Sequence, residues 1–214
     1  MFFITLQKKL KHLSTFIYNN PMKPSPTPSL PVVAARPEDA PQIATLIMEA
    51  MNHDCCQWFA GPHHTLADFH ALMTRLVRSE CSQYSYLNTL VCRDNDVVGI
   101  CTSYDGSKLK TLRAAFVREA LATFGRDFSD MDDETSAGEL YIDSLCVRAD
   151  HRGQGLARAL LNATQERARA MGLPTGLLVD IGNPQAERLY LGLGYRQVGT
   201  NQWGGHTMKH LQRL

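Results

Sequence analysis

The segment LYIDSLCVRADHRGQGLARALL, residues 140–161, most constrains what this chain can fold into. It begins as an apolar run, turns through a short charged segment that holds Gly153 and Gly155, and continues as an Ala/Leu-rich run. This pattern predicts a strand, a turn and a helix. Such a turn presents backbone N–H groups without intrahelical partners, and the helix dipole adds positive potential there. The turn is therefore a candidate anion site, and Arg152 adds a charged donor.

Two known phosphate-binding motifs fit this turn poorly. A P-loop has Lys followed by Ser or Thr after its last glycine, whereas Leu156 and Ala157 follow here. A dinucleotide fingerprint has Gly or Ala at the position of Arg158. One feature favours the dinucleotide alternative, because Asp180 ends the next apolar run, where an acidic residue could bind a ribose. A dinucleotide-binding fold also needs further parallel strands, however, and the sequence upstream predicts a hairpin instead. Taken alone, the turn leaves phosphate binding and an ordinary connection both open.

Helical and strand-like patterns are mixed along the rest of the chain. The run PVVAAR predicts a first strand, and Asp39 is expected to cap the helix that follows it. Thr65 and Asp68 form a capping box that opens a second helix, and TLVCRDNDVVGICTSY predicts a hairpin. The further predicted elements are a helix over 108–124, a strand over 140–147, a helix to about Met171, a strand at GLLVD, a short helix at PQAERLYLGLG, and strands near 195–199 and 206–211. This mixture predicts an α/β or α+β fold with helices on both faces of a sheet.

The N-terminal part differs in composition from the rest. The stretch PMKPSPTPSLP holds five of the ten prolines, which is typical of an extended linker. Residues 1–31 are therefore predicted to be an N-terminal extension with a Pro-rich linker, and residues 32–214 the folded domain. Apolar residues at helical spacing within residues 1–20 leave an amphipathic helix on a membrane surface or a partner as the alternative to a poorly ordered extension.

Composition excludes some partners. A net charge of +1 gives no argument for nucleic acid, and no apolar run approaches the roughly 18 residues that span a bilayer. The start MFFITLQ lacks the basic region and cleavage site of a signal peptide. We therefore expect a cytoplasmic protein whose six cysteines are reduced.

A second motif, together with the turn, relates the chain to a known family. The segment NPQAERLYLGLGY, residues 183–195, directly follows the next predicted strand, and with it the chain resembles the GCN5-related N-acetyltransferase (GNAT) superfamily. The acyl-CoA motif of that family, Gln/Arg-x-x-Gly-x-Gly/Ala after a strand, is matched by Arg152, Gly155 and Ala157. Its second motif is matched by Asn183, Ala186, Leu189, Tyr190, Gly194 and Tyr195. The resemblance covers roughly residues 32–211.

The resemblance implies a fold and an activity. The fold would be a mixed, mostly antiparallel sheet of about six to seven strands, with helices on both faces and a splayed acyl-CoA cleft. The activity would be direct transfer of an acetyl group from acetyl-CoA to an amine, without a metal. A GNAT-like module that binds acyl-CoA or a partner without turnover is the alternative.

The resemblance also assigns roles to residues. The pantetheine arm would bind the backbone of Leu145, Cys146 and Val147, where a bulge would direct an N–H toward the developing oxyanion, and Asn183 would bond the pantetheine or cap the short helix. The pyrophosphate would bind the turn formed by Arg152, Gly153, Gln154, Gly155, Leu156 and Ala157.

The same resemblance makes Tyr190 the candidate general acid. Asp143 is the candidate base, acting through water or by positioning the cationic amine. Because side chains alternate along a strand, we expect it on the same face as Leu145. Tyr104 and Glu139 are weaker candidates for the base.

The sequence predicts less about the region that would bind the acceptor. By resemblance, the loop between the first helices and residues 104–139 would shape the pocket. The acidic run 127–139 either attracts a cationic acceptor or is a solvated loop, and the solvated loop is the favoured interpretation. We expect a small-molecule amine rather than a protein acceptor, and a homodimer is left open. The cluster His53, Cys55, Cys56, His63 and His64 fits no zinc template, and Trp58 and Phe59 are expected to wall the pocket or the core.

Overall fold

A computed structural model describes residues 30–214 of the chain. The expectations for residues 1–29, an extension and most of the Pro-rich linker, lie outside the described residues. The helices are α1 Ala40–Met51, α2 His53–Ala60, α3 Leu66–Arg78, α4 Leu109–Phe124, α5 Leu156–Ala170 and α6 Pro184–Leu191. The strands are β1 Val32–Ala34, β2 Thr89–Asp94, β3 Asp96–Asp105, β4 Leu140–Val147, β5 Thr175–Asp180, β6 Arg196–Trp203 and β7 His206–Arg213.

The seven strands form one sheet in the order β1-β2-β3-β4-β5-β7-β6. All neighbours pair antiparallel except β4 and β5, which are parallel. The predicted hairpin is β2–β3, and its turn places Asn95 at a positive φ of 57°. The mixed, mostly antiparallel sheet of six to seven strands is therefore confirmed. The parallel pair needs a crossover, which α5 provides.

Helices cover both faces of this sheet. One apolar cluster contains residues of the four helices α1, α2, α3 and α4 together with Val91 and Ile100 of the central strands. The other joins α5 with residues of the central and C-terminal strands, such as Val98, Leu177 and Leu211. Each cluster removes one face of the sheet from water, which supplies the main driving force for folding.

Side-chain caps explain the starts of three of the helices, α2, α3 and α6. The predicted capping box of α3 is confirmed, because Thr65 Oγ1 accepts from the Asp68 N–H at 3.2 Å and Asp68 Oδ2 accepts from the Thr65 N–H at 2.8 Å. Asp39 is the N-cap residue of α1, as expected, but its side chain makes no capping hydrogen bond to that helix. Its buried carboxylate instead accepts two hydrogen bonds of 2.8 Å from the Arg93 guanidinium and one from the Arg36 N–H. The bonds from Arg93 hold the pKa of Asp39 below its usual range despite burial.

All six cysteines are free thiols, and three of them, Cys92, Cys101 and Cys146, are buried in the sheet. Burial raises the pKa of Cys92 to about 11 and that of Cys101 to about 12. These thiols are therefore poor nucleophiles at neutral pH.

Among residues 30–214, no helix combines the length and the apolar character needed to cross a bilayer.

A buried carboxylate joins three strands where β4 begins. Glu139 is 2% exposed and its side chain accepts hydrogen bonds from Thr135 at 2.6 Å and from His210 and Gln212 of β7 at 2.8 Å. Burial raises its pKa, but these three hydrogen bonds outweigh that effect, so the pKa of Glu139 is lowered. The carboxylate reaches β7 across Gly176 of β5, where a Cβ atom would collide with it.

The close approach at Gly176 makes a prediction for stability. We expect Gly176→Ala to destabilise the fold by about 1–3 kcal/mol, because the added methyl must displace the Glu139 carboxylate. Gly199→Ala on β6 is the matched control, since nothing lies within 4 Å of a Cβ there, and it should change stability by less than about 0.5 kcal/mol. Urea denaturation followed by circular dichroism measures both. Equal midpoints for the two variants would contradict the close approach.

Candidate functional site

The two parallel strands separate shortly after they begin. Strands β4 and β5 pair only at Leu140 with Thr175 and at Tyr141 with Gly176. Beyond Tyr141, β4 remains paired with β3 up to Val147, while β5 remains paired with β7. The strands therefore diverge and leave a slot between residues 142–147 and residues 177–180. This is the splayed cleft that the sequence predicts.

Residues 145–147 line one side of this slot. Leu145 packs against the apolar cluster that contains α5, whereas Cys146 belongs to the cluster on the opposite face of the sheet. The Cys146 thiol donates to the Glu49 carboxylate of α1 at 3.6 Å, and burial raises its pKa to about 12. The Val147 carbonyl accepts from Arg152 Nε at 2.9 Å, which ties the end of the strand to the turn.

The turn after β4 lies at the mouth of the slot. A single turn of 3-10 helix precedes Arg152, and Gly153 and Gly155 follow with φ values of 77° and 80°. These left-handed conformations strain any residue with a Cβ, which explains both glycines. Nothing lies within 4 Å of a Cβ placed on Gly153, so the turn is open on that side.

The start of α5 presents free backbone donors. The first bond of the helix runs from the Ala159 N–H to the Gly155 carbonyl at 3.0 Å, so the N–H groups of Leu156, Ala157 and Arg158 precede the helical ladder. Gly155 is the N-cap residue and has no side chain that could occupy these donors. The donors and the positive end of the helix dipole favour an anion at this position.

Helix α6 and its flanking residues carry the second motif. Asn183 Oδ1 accepts from the Ala186 N–H at 3.1 Å, so Asn183 caps α6, which is one of the two roles expected for it. Tyr190 is half-buried against the apolar cluster of α5, and its ring centroid lies 5.7 Å from that of Tyr195. Burial raises the pKa of Tyr190 well above its usual range. Its phenol is therefore protonated throughout the neutral pH range.

Asp143 occupies a bulge in β4. Ser144 pairs with Thr102 and Ile142 pairs with Ser103, so Asp143 is an extra residue between two consecutive partners on β3. The bulge interrupts strand alternation, and the expectation that Asp143 shares a face with Leu145 is wrong. Leu145 faces the α5 cluster, while Asp143 contacts Gln83 in the segment between α3 and β2. The predicted bulge exists, but it lies two residues before Leu145.

Two neutral groups hold the Asp143 carboxylate. Oδ1 accepts from Ser144 Oγ at 2.7 Å and Oδ2 accepts from Gln83 Nε2 at 3.2 Å. Burial raises the pKa of Asp143, and these two bonds with the field of Arg113 lower it by a smaller amount. The result is a carboxylate that binds a proton more readily than an exposed aspartate.

A buried ion pair lies behind Asp143. Glu134 is 7% exposed, and Arg113 of α4 is 4% exposed. The Arg113 guanidinium donates to the Glu134 carboxylate, which also accepts from the Tyr104 hydroxyl at 2.8 Å and from Gln83 Nε2 at 3.4 Å. Tyr104, a weaker candidate for the base, is therefore a donor to Glu134, and burial raises its pKa well above the usual range.

The favoured interpretation of the acidic run as a solvated loop is wrong for two of its members. Glu134 and Glu139 are buried and hydrogen-bonded, while Asp127, Asp130, Asp132 and Asp133 are exposed. Glu139, the other weak candidate for the base, bonds His210 and Gln212 of β7. The run is a structural connection that supplies two carboxylates to the interior.

Sequence reasoning missed Gln83 and Arg113. Arg113 lies four residues after Leu109 and three before Phe116, on the stripe that α4 buries, so a charge on an apolar stripe was the available signal. Leu121 of the same helix is 51% exposed. Nothing in the sequence marks Gln83, because it lies outside every motif.

Several of the remaining candidates near α2 have other contacts within the protein. No group of three or more His, Cys, Asp or Glu side chains within residues 30–214 could hold a metal ion. The Cys56 thiol donates to the Met48 carbonyl at 3.7 Å, and the His64 ring lies 5.0 Å from that of Phe124. Phe59 is buried in the core, and Trp58 is 48% exposed beneath the Arg126 guanidinium at 5.2 Å.

Comparison with known proteins agrees with this geometry. The sequence profile of the Acetyltransferase (GNAT) family matches residues 47–195. The chain belongs to this GNAT family. The recognition is thereby confirmed, and with it N-acetyltransferase as the class of enzyme, with an acceptor that is unidentified.

Named relatives of this GNAT chain are acetyltransferases. "Acetyltransferase Atu2258" of Agrobacterium fabrum (strain C58 / ATCC 33970) is 34% identical over 112 residues, which cover 45% of this chain and 81% of the relative. An N-acetyltransferase structure from Staphylococcus aureus Mu50 has a TM-score of 0.73 and 26% identity, and covers 85% of this chain and 99% of its own. A further structure, described as an acetyltransferase, has a TM-score of 0.69 and 28% identity over 85% of this chain and 97% of its own.

The dinucleotide-binding alternative does not fit the GNAT sheet. That fold requires a series of parallel strands joined by helices, and within residues 30–214 only β4 and β5 are parallel.

The buried ion pair predicts a large effect on stability. Arg113→Met should destabilise the fold by about 3–5 kcal/mol, because Glu134 would be left buried without its cation. Arg75→Met is the matched control, since the Arg75–Glu119 pair also involves α4 but lies at the surface, and it should cost about 0–1 kcal/mol. Chemical denaturation measures both variants, and an Arg113→Met protein as stable as the control would exclude the buried pair.

Proposed function

We propose that this GNAT protein is a cytoplasmic enzyme that transfers the acetyl group of acetyl-CoA directly to the amine of a small-molecule acceptor. The observation that carries the proposal is the divergence of β4 and β5 beside a turn with two left-handed glycines. The slot accommodates an extended thioester arm, and the turn at its mouth presents donors to an anion. Family membership supports the same chemistry.

The turn suits the pyrophosphate of acetyl-CoA. We assign the pyrophosphate to residues 152–157, where the N–H groups at the start of α5 and the two glycines allow a bulky anion to approach the backbone. The backbone of residues 145–147 would hold the pantetheine arm along the slot. Asn183 caps α6 through its carbonyl oxygen, and its amide nitrogen would face the arm from the opposite side.

Two side chains would move protons. Bound acetyl-CoA supplies the acetyl group as a reactive thioester. Asp143 would accept a proton from the acceptor ammonium, directly or through water, so that the amine can attack as a neutral nucleophile. Tyr190 would donate its phenolic proton to the departing sulfur, and its raised pKa keeps that proton available at neutral pH. Holding both reactants in the slot would supply much of the rate enhancement.

Thiol release tests this function. The protein is incubated with acetyl-CoA and a broad panel of small amines, and free CoA thiol is measured. Amine-dependent release supports the enzyme. Tight CoA binding without release for any amine would instead support a binding module without turnover.

Tyr190 gives a sharper test of the mechanism. Tyr190→Phe should lower kcat by about 10²-fold or more with little change in CoA affinity, because the phenolic proton is lost and the ring is kept. Tyr195→Phe is the matched control. The Tyr195 hydroxyl is hydrogen-bonded to Thr175 Oγ1 at 3.0 Å within the core, so its loss should cost about 1 kcal/mol of stability and leave kcat nearly unchanged. An unaltered kcat in Tyr190→Phe would show that Tyr190 is not the acid.

The turn predicts a change in cofactor affinity. Gly153→Ala should weaken CoA binding by about tenfold, because the methyl occupies the side on which the pyrophosphate approaches and strains the backbone. Gly172→Ala, after the C-terminus of α5, is the matched control, since Gly172 has a similar φ of 70° and equally open surroundings. Both variants should lose similar stability, about 1 kcal/mol, in thermal melts. Calorimetric titration with CoA must separate them if the turn binds the pyrophosphate.

A further inference from the structure

The side-chain amide of Gln83 lies between the carboxylates of Asp143 and Glu134. Gln83 Nε2 donates to Asp143 at 3.2 Å and to Glu134 at 3.4 Å. An amide nitrogen has two hydrogens, so the two bonds use its full donor capacity. The opposite assignment of the amide would point its oxygen at both carboxylates, which is electrostatically unfavourable.

The backbone holds Gln83 in place from one side. Gln83 lies in a turn in which the Ser85 N–H bonds the Ser82 carbonyl at 3.1 Å. The Asn88 side chain donates to the carbonyls of Ser82 and Gln83 at 3.0 and 3.3 Å. From the other side, Glu134 is anchored by Arg113 and the Tyr104 hydroxyl. The amide therefore joins two rigid elements and has little freedom to move away from Asp143.

One polar atom of Gln83 is buried without a hydrogen bond within residues 30–214, which is energetically unfavourable. It is 4% exposed, and its Oε1 is a buried acceptor without a hydrogen-bond partner among the described residues. Buried polar atoms are normally paired, so an unpaired one requires a reason. A side chain whose only role was to fill this space would be better apolar. The two donor bonds are what an apolar residue cannot supply.

No cation contacts Asp143 in the part of the chain that the structure describes. The guanidinium of Arg113 acts on it only at a distance and is bonded to Glu134 and to Asp133. The donors to its carboxylate are two neutral groups, from Ser144 and Gln83. The charged or titratable groups around it, from every element packed there, are Tyr84, Tyr104, Arg113, Glu134 and Tyr141.

We propose that Gln83 is the positioning residue for Asp143, which fixes the carboxylate in the bulge and stabilises its ionised form. The proposal rests on the proposed function, in which Asp143 accepts the acceptor's proton. Gln83 touches neither reactant and acts through Asp143. Because a donor to a carboxylate favours the charged state, its removal makes Asp143 hold its proton to a higher pH.

The experiment compares two buried glutamines. Gln83→Met removes the amide from Asp143, while Gln165→Met removes an equally buried amide of α5, whose Oε1 accepts from Thr175 at 2.6 Å. The 13Cγ resonance of Asp143, assigned by its loss in Asp143→Asn, is titrated in each full-length protein. The acid limb of kcat/KM is measured with acetyl-CoA and the fastest amine of the screen. Gln83→Met should move both midpoints to higher pH, and Gln165→Met should move neither.

The outcomes distinguish a failure of the proposed role of Asp143 from a failure of the positioning role of Gln83. If Asp143→Asn keeps the wild-type rate and acid limb, the assigned role of Asp143 in the proposed function fails. If Asp143→Asn removes the limb but Gln83→Met leaves both midpoints at their wild-type values, the positioning role is overturned. A shift of the resonance without a shift of the rate limb also overturns it. If Gln83→Met does not fold, Gln83→Glu is measured instead. Its like charge should move both midpoints further to higher pH, and an unchanged profile would again overturn the role.

Discussion

The divergence of β4 and β5 is the constraint on which the rest of the site depends. The two strands pair for two residues only, and the buried carboxylate of Glu139 fixes that short contact by joining β4 to β7 across Gly176. The remainder of β4 is held by β3, and the remainder of β5 by β7. Each strand thus keeps its hydrogen bonds on one side and leaves the facing edges free. A cleft with backbone donors on its wall follows from this arrangement.

The site draws on both sides of the sheet. The turn and α6, on the side of the α5 cluster, present backbone donors and a protonated phenol. On the opposite side, Asp143, Glu134 and Gln83 form a connected set of buried polar groups. The bulge at Asp143 makes this division possible, because it turns one carboxylate of β4 away from the face that Leu145 occupies. The proposed acid and the proposed base therefore have separate environments and can hold different protonation states at the same pH.

Much of this organisation could be predicted from the chain alone. The strand, turn and helix of residues 140–161, the hairpin of β2 and β3, and the capping box at Thr65 are local patterns, and the structure confirms them. The expectations that failed concern polar groups whose partners are distant in sequence. Asp39 bonds Arg93 instead of its own helix, and Glu134 is buried although it lies in an acidic run. A propensity for capping or solvation is weak compared with a charged partner brought close by tertiary contacts.

The sequence by itself determined the class of protein, because two motifs in order, each on its predicted element, are enough to identify the GNAT family. Gly153 and Gly155 are informative without a structure, since a left-handed turn strains any other residue. Only the tertiary structure decided where the candidate base Asp143 lies. Strand alternation predicts one face for Asp143, and a bulge created by pairing with β3 places it on the other. Gln83, 60 residues away in sequence, reaches Asp143 because the sheet and α3 bring the two together. Such contacts depend on register and packing between elements, which no local pattern encodes.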